Sequence, residues 1–147
     1  MKITSALAGG LAGSIVLTAL HQILRATNRN APHMDELGME AIAKGLNKAD
    51  VEVPEEKKLY LITMAGDIVS NAAYYSLIGL SSKNSIWVTG TILGLAAGIG
   101  GVTLPRPMGL NEEASARTNE TKVLTVGLYL TGALVATAVI NAVNKDE

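Results

Sequence analysis

Four stretches of roughly 20 apolar or small residues, each the length needed to cross about 30 Å of hydrocarbon, alternate with short charged segments along the chain. They run over residues 3–24, 59–80, 85–104 and 123–143. A polypeptide in lipid must satisfy its backbone polar groups internally, and a continuous apolar run of this length does so as a helix. The pattern predicts an all-α fold: a four-transmembrane-helix bundle forming one membrane domain over residues 1–147. The first run is expected to remain as an uncleaved span. It is longer than a usual signal core, and no small-x-small cleavage pattern directly precedes His21 and Gln22, Ala6 and Ala8 lying too early to serve.

The connections constrain topology. Only Ser81, Ser82, Lys83 and Asn84 separate the second and third runs, so those helices should be antiparallel neighbours. Pro105 and Pro107 end the third run, and Pro54 with Glu55 and Glu56 marks the start of the second, where acidic groups face the positive end of the helix dipole. Of the 12 Lys and Arg residues, all but Lys2, Lys83 and Lys145 lie in the first and third loops. The positive-inside rule then places those loops in the cytoplasm and both termini outside. Trp87, Tyr74 and Tyr75 near the outer ends and Tyr60 at an inner end suit an interfacial aromatic belt.

Within the first loop, Met34, Leu37, Gly38, Ala41, Ile42, Gly45 and Leu46 recur at helical spacing while Asp35, Glu36, Glu40, Lys44 and Lys48 fall elsewhere. This predicts one cytoplasmic amphipathic helix over 33–48 with Pro32 in its first turn and Asn30 or Ala31 near its cap. Small residues on its apolar face favour packing on the inner ends of the spans over floating on lipid. The third loop, 105–122, is expected to be a solvated connector with room for a short helix.

Two residue patterns bear on function. Gly9 and Gly13 in the first span, and Gly90, Gly94 and Gly98 in the third with Gly101 adjoining, stand at four-residue intervals that let helix backbones approach closely. Spacing alone leaves open whether the partner helix belongs to the same chain or to a second copy. In the second span Thr63, Asp67, Ser70, Asn71 and Tyr74 form a polar stripe, with Asp67 about 12 Å below Leu59 at 1.5 Å per residue. In the first span Ser14, Thr18, His21, Gln22 and Arg25 form another. Facing each other, they would make one polar seam in which His21 or Arg25 reaches toward Asp67. An intramembrane carboxylate is costly and points to a proton or ion relay. The bland reading is a buried pair that fixes helix register.

Other classes of chemistry find little support. A net charge of −1 offers no basic face for nucleic acid, and the absence of cysteine removes disulfide and thiolate chemistry. His33 with Asp35, Glu36 and Glu40 does not match a metal-ligand spacing, no GxSxG elbow is present, and the glycine-rich third span lacks the Lys-Ser/Thr of a phosphate loop. No catalytic residue, metal or cofactor is expected. Asn119-Glu120-Thr121 matches a glycosylation acceptor, but its expected cytoplasmic position makes the match a coincidence.

The stretch from His21-Gln22 through Ala31-Pro32-His33-Met34-Asp35 and Leu37-Gly38-Met39, with the later Pro105-Arg106-Pro107-Met108-Gly109-Leu110 loop, resembles small bacterial multi-span membrane proteins of no assigned activity. That resemblance implies a bacterial inner membrane. The function expected is that of a non-enzymatic helical bundle, structural or accessory, with the lipid bilayer as its medium and a second copy or a membrane complex as partner. The alternative is a small transporter or proton-conducting oligomer built on Asp67. A membrane-embedded metal-binding protein or enzyme comes third.

Overall fold

Apolar runs long enough to bury their own backbone polar groups become helices, and in the computed structural model every regular element among the described residues, 3–144, is helical. Lys2 and Lys145, two of the three positive charges assigned to the outer side, lie outside the described residues. The elements are α1 (Ile3–Thr27), α2 (Met34–Lys48), α3 (Glu56–Ser76), α4 (Ile86–Thr103), α5 (Glu113–Ala116) and α6 (Asn119–Val143). A 3₁₀ turn, Leu77–Leu80, continues α3 into the hairpin. α1, α4 and α6 are each long and apolar enough to cross a membrane. α3 is not counted with them. Its first turns carry Glu56, Lys57 and Lys58 and its middle carries Asp67, which dilute the apolar character that its length alone would give.

Local chemistry explains the ends. Pro105, with no N–H to donate, stops α4, and Thr118 caps α6 by accepting the Thr121 N–H on Oγ1 at 3.0 Å. α2 begins later than its sequence implies. His33 is its N-terminal flanking residue and Pro32 stands outside, because Asn28 Oδ1 accepts the Asn30 N–H at 2.8 Å and turns the chain before the helix starts. At the other end of α2, Asp50 takes a left-handed φ of 55° while the amides of Asp50 and Val51 bond back to Asn47 O and Leu46 O. This is a Schellman closure with an acidic residue where glycine is usual.

α1, α3, α4 and α6 run up, down, up and down. α1 packs on both α3 and α6, and α4 packs on α6, so the lateral order is α3, α1, α6, α4. Small residues set the spacing. A Cβ on Gly9 would lie 2.7 Å from Ala136 O, one on Gly94 2.7 Å from Ala133 Cβ, and one on Gly98 2.6 Å from Val126 Cα. Gly13 faces Gly132 and Ala136, and Gly90 faces Thr137. The glycine faces of α1 and α4 are therefore covered by α6 of the same chain.

One end of the bundle gathers the start of α1, the end of α6 and the α3–α4 hairpin. Ser5 Oγ donates to Asn144 Oδ1 at 3.1 Å, and Lys83 Nζ donates to Asn144 O at 3.2 Å. The opposite end carries α2 and α5. The core between them centres on Leu17, Tyr75, Ile78, Ile86, Leu128 and Ile140. Tyr75 is a correction to the aromatic belt: it is fully buried, its ring filling the space that Gly132 leaves on α6. Trp87, half exposed in the first turn of α4, does sit at a bundle end.

Candidate functional site

The polar stripe of α3 is satisfied mostly within its own helix. Thr63 Oγ1 donates to Leu59 O at 2.8 Å and Ser70 Oγ to Asp67 O at 3.2 Å. Asn71 Nδ2 donates to Asp67 Oδ1 at 3.0 Å. Hydroxyls one turn from a carbonyl bond to it readily, which removes them from competition for an inter-helix partner. Tyr74 is the exception. Its hydroxyl crosses to α4 and donates to Leu93 O at 2.8 Å.

The stripe of α1 behaves differently. Ser14 Oγ donates across to Ile68 O at 2.7 Å, fixing the antiparallel register of α1 and α3. His21 is buried, with Nε2 at 2.8 Å from Pro32 O and 3.3 Å from the Met34 N. One ring nitrogen cannot both donate and accept. The shorter contact assigns the proton to Nε2, where it secures the turn before α2. Arg25 does not reach Asp67, because α2 presents nearer anions. Its guanidinium lies 3.0 Å from Asp35 Oδ1 and 2.8 Å from Glu36 Oε1. That hydrogen bond holds the Glu36 carboxyl below its ordinary value, aided by His33, whose Nδ1 is 3.4 Å away.

α2 is tied down at its middle as well. Glu40 Oε2 accepts the Asn111 N–H at 2.9 Å, which lowers the Glu40 pKa, and Lys44 pairs with Glu40 at 3.0 Å while donating to Gly109 O. Arg117, at the end of α5, donates to Arg29 O at 2.8 Å and Ala31 O at 2.6 Å. Asn28 and Asn30 both donate to Glu120, at 3.0 and 2.8 Å, and lower its pKa. The first and third loops thus form one hydrogen-bonded layer across the end of the bundle.

Beneath that layer, Asp67 stands where three spaces meet. The first, about 330 Å³, lies between α2 and α3 on the side of Thr63, Met64 and Ile42. α2 crosses α3 there, with Gly38 against the Thr63 methyl. The second is a void of about 10 Å³ bounded by Leu17, Thr18, His21, Asp67 and Tyr129, room for a single water. Thr18 Oγ1 is buried without a hydrogen-bond partner among the described residues. The third is a cleft of about 720 Å³ between α3 and α4, with Tyr129 of α6 at its back. α3 and α4 touch at the Tyr74–Leu93 bond and separate toward α2, so the cleft is closed at the hairpin end and roofed by Leu37, Met108 and Leu110.

The structure therefore brings Thr18, His21 and Asp67 around one void and sends Arg25 to α2. Tyr129, Ala97 and Gly101 also line the cleft, outside the polar stripes that spacing defines. Tyr129 lies in a largely apolar span, and Gly101 continues the glycine series at the end of α4 nearer α2, with Thr125 and Tyr129 of α6 and Met34 beside it. A further groove of about 420 Å³ between Ile99, Val102, Val123 and Val126 is mostly apolar, with Thr103 and Lys122 the polar residues in its lining. Among the described residues, no group of three His, Asp or Glu side chains is placed to hold a metal ion. Comparison with family models, characterised proteins and solved structures finds no match.

Proposed function

We propose that the chain is a four-span membrane protein without catalytic machinery, in which α3 is the fourth span and the bundle serves a binding or accessory role. The observation that carries this reading is the division of faces on α3. Thr63, Asn71 and Tyr75 turn inward, while Leu61, Ile62 and Val69 stand 59, 43 and 69 % exposed on the outside. An outward apolar face on a helix with an inward polar one suits lipid, and in water it would be a standing liability. α1 lies between α3 and α6, which supports placing α3 at the same depth as its neighbours.

The charge distribution supports loops one and three in the cytoplasm with both ends of the chain outside, and the resemblance points to a bacterial inner membrane. Because α6 covers the glycine faces, self-association would have to use other surfaces.

Cysteine scanning tests this directly, since the chain has no native cysteine. Ser82→Cys and Glu52→Cys should react with an impermeant maleimide from opposite sides of sealed vesicles. Labelling of both from the same side would make α3 a surface hairpin and end the four-span reading.

A second reading, a proton or ion path through Asp67, is favoured by the carboxylate's position at the meeting of three spaces. Its test is flux in proteoliposomes. Transport by the parent chain that Asp67→Asn abolishes would support it, and absence of flux in the parent would remove it.

A further inference from the structure

We infer that the cleft between α3 and α4 is a binding site for a single-chain lipophilic amine, with the ammonium group on Asp67 and the hydrocarbon along the α4 wall. The inference rests on the membrane-spanning reading. It starts from the walls. Ala97 and Gly101 keep the α4 side low, Leu37 and Met108 close the inner end, and the volume of about 720 Å³ falls within the range of small-molecule sites. With the Tyr74–Leu93 bond closing the other end, the slot is bounded along the bundle axis and opens sideways between two helices.

The charge decides the head group. Asp67 is the cleft's carboxylate, and no Lys, Arg or His lines it. His21 of α1 shares the two adjoining spaces with Asp67 but has its Nε2 on Pro32 O, and Arg25 is committed to Asp35 and Glu36. Asp67 accepts one side-chain hydrogen bond, from Asn71, although an ionised carboxylate has room for about four. What the site lacks is a cation that donates hydrogen bonds. A primary ammonium supplies both, whereas a quaternary head has no N–H to give. A phosphate-bearing lipid head would place an anion where no basic side chain meets it.

The probe is dodecylamine, titrated into the full chain in phosphatidylcholine nanodiscs, with protein-free discs as background. Saturable binding at one site per chain is expected. Excess laurate, dodecanol or phosphatidylethanolamine should leave it in place. Asp67→Asn should weaken it about tenfold or more, the loss of a charge-assisted hydrogen bond. Ala97→Phe, which fills the slot without touching the carboxylate, should weaken it as well.

Equal affinity in Asp67→Asn, displacement by laurate or phosphatidylethanolamine, or no saturable binding by the parent would overturn the inference. Should Asp67→Asn not fold, Ala97→Phe and the competition series decide alone. Maleimide labelling of the Ser82→Cys and Glu52→Cys chains in sealed vesicles separates the two failures. Correct sidedness without amine binding rejects only the site, and same-side labelling rejects the spanning reading beneath it.

Discussion

Tyr75 of α3 reaches past α1 to place its hydroxyl 2.8 Å from the backbone carbonyl of Tyr129 on α6. Two helices with little direct packing between them are joined by this one side chain, buried completely in the space opened by Gly132. Tyr75→Phe keeps the ring and loses the bond, so unfolding in mixed detergent should show a loss of about 1 kcal/mol. Tyr75→Ala leaves a hole and should cost about 3–5 kcal/mol. Equal effects from the two would mean that the hydroxyl, and not the ring, carries the contribution.

Glycines in this chain divide into those that are crowded and those that are free. A Cβ on Gly98 would press on the Val126 backbone, while one on Gly127 meets nothing within 4 Å. Gly98→Ala should therefore destabilise by about 1–3 kcal/mol through overpacking. Gly127→Ala should be neutral or stabilise by up to about 1 kcal/mol through backbone entropy. The same unfolding measurement checks both, and a loss of stability in Gly127→Ala would contradict the assignment.

Acid should loosen the α2 layer. Glu36 and Glu40 are both held below the usual carboxylate value of 4.5, chiefly by Arg25 and by the Asn111 N–H respectively. A carboxyl with a lowered folded-state pKa contributes stability that is complete above its unfolded value and fades as the pH falls through the folded one. A spin label at Asn47→Cys on α2 should thus be immobile at neutral pH and gain mobility below about pH 4.5, the unfolded value. With Glu36→Gln and Glu40→Gln combined, it should be mobile at neutral pH and insensitive to acid.

Arg117 clamps the turn between α1 and α2 by two backbone carbonyls, those of Arg29 and Ala31. Glutamine is too short and carries too few donors to serve both. Arg117→Gln should increase cleavage by trypsin after Arg29, read by mass spectrometry, while the spectrum of the helical bundle stays unchanged. Unaltered cleavage would show that the Asn28 and Asn30 bonds to Glu120 hold the turn by themselves.

Periodicity carries helix faces well and helix partners poorly, and the differences between expectation and structure follow that line. Spacing alone defines the polar stripe of α3 from Thr63 to Tyr74, in which Thr63 and Asn71 are buried and Ser70 is exposed. It does not define what each member bonds to. Thr63 and Ser70 return to their own backbone, and Arg25 is drawn to Asp35 and Glu36, anions on a separate element whose position no local pattern encodes. Tyr75, by its place near a span end, suits an interface, yet the missing side chain at Gly132, 57 residues later in the numbering, gives it a berth in the core.

The cleft was invisible for a related reason. Gly90, Gly94 and Gly98 pack closely on α6, while Ala97 and Gly101, on the same side of α4, line the cleft, with Thr125 and Tyr129 of α6 beside Gly101. Small residues look alike in both settings. Only the divergence of α3 from α4 distinguishes a packed groove from an open one.

Ser5 and Asn144 clasp the start of α1 to the end of α6, with Lys83 bonded to the same asparagine. α1 and α6, the first and last long helices, are therefore neighbours as intimate as any pair joined by a loop. A circular permutant that joins these ends through a short flexible linker and opens in the exposed 50–53 segment would preserve every helix pairing described above. Its successful insertion would show that the order in which the helices emerge is separable from the arrangement they reach.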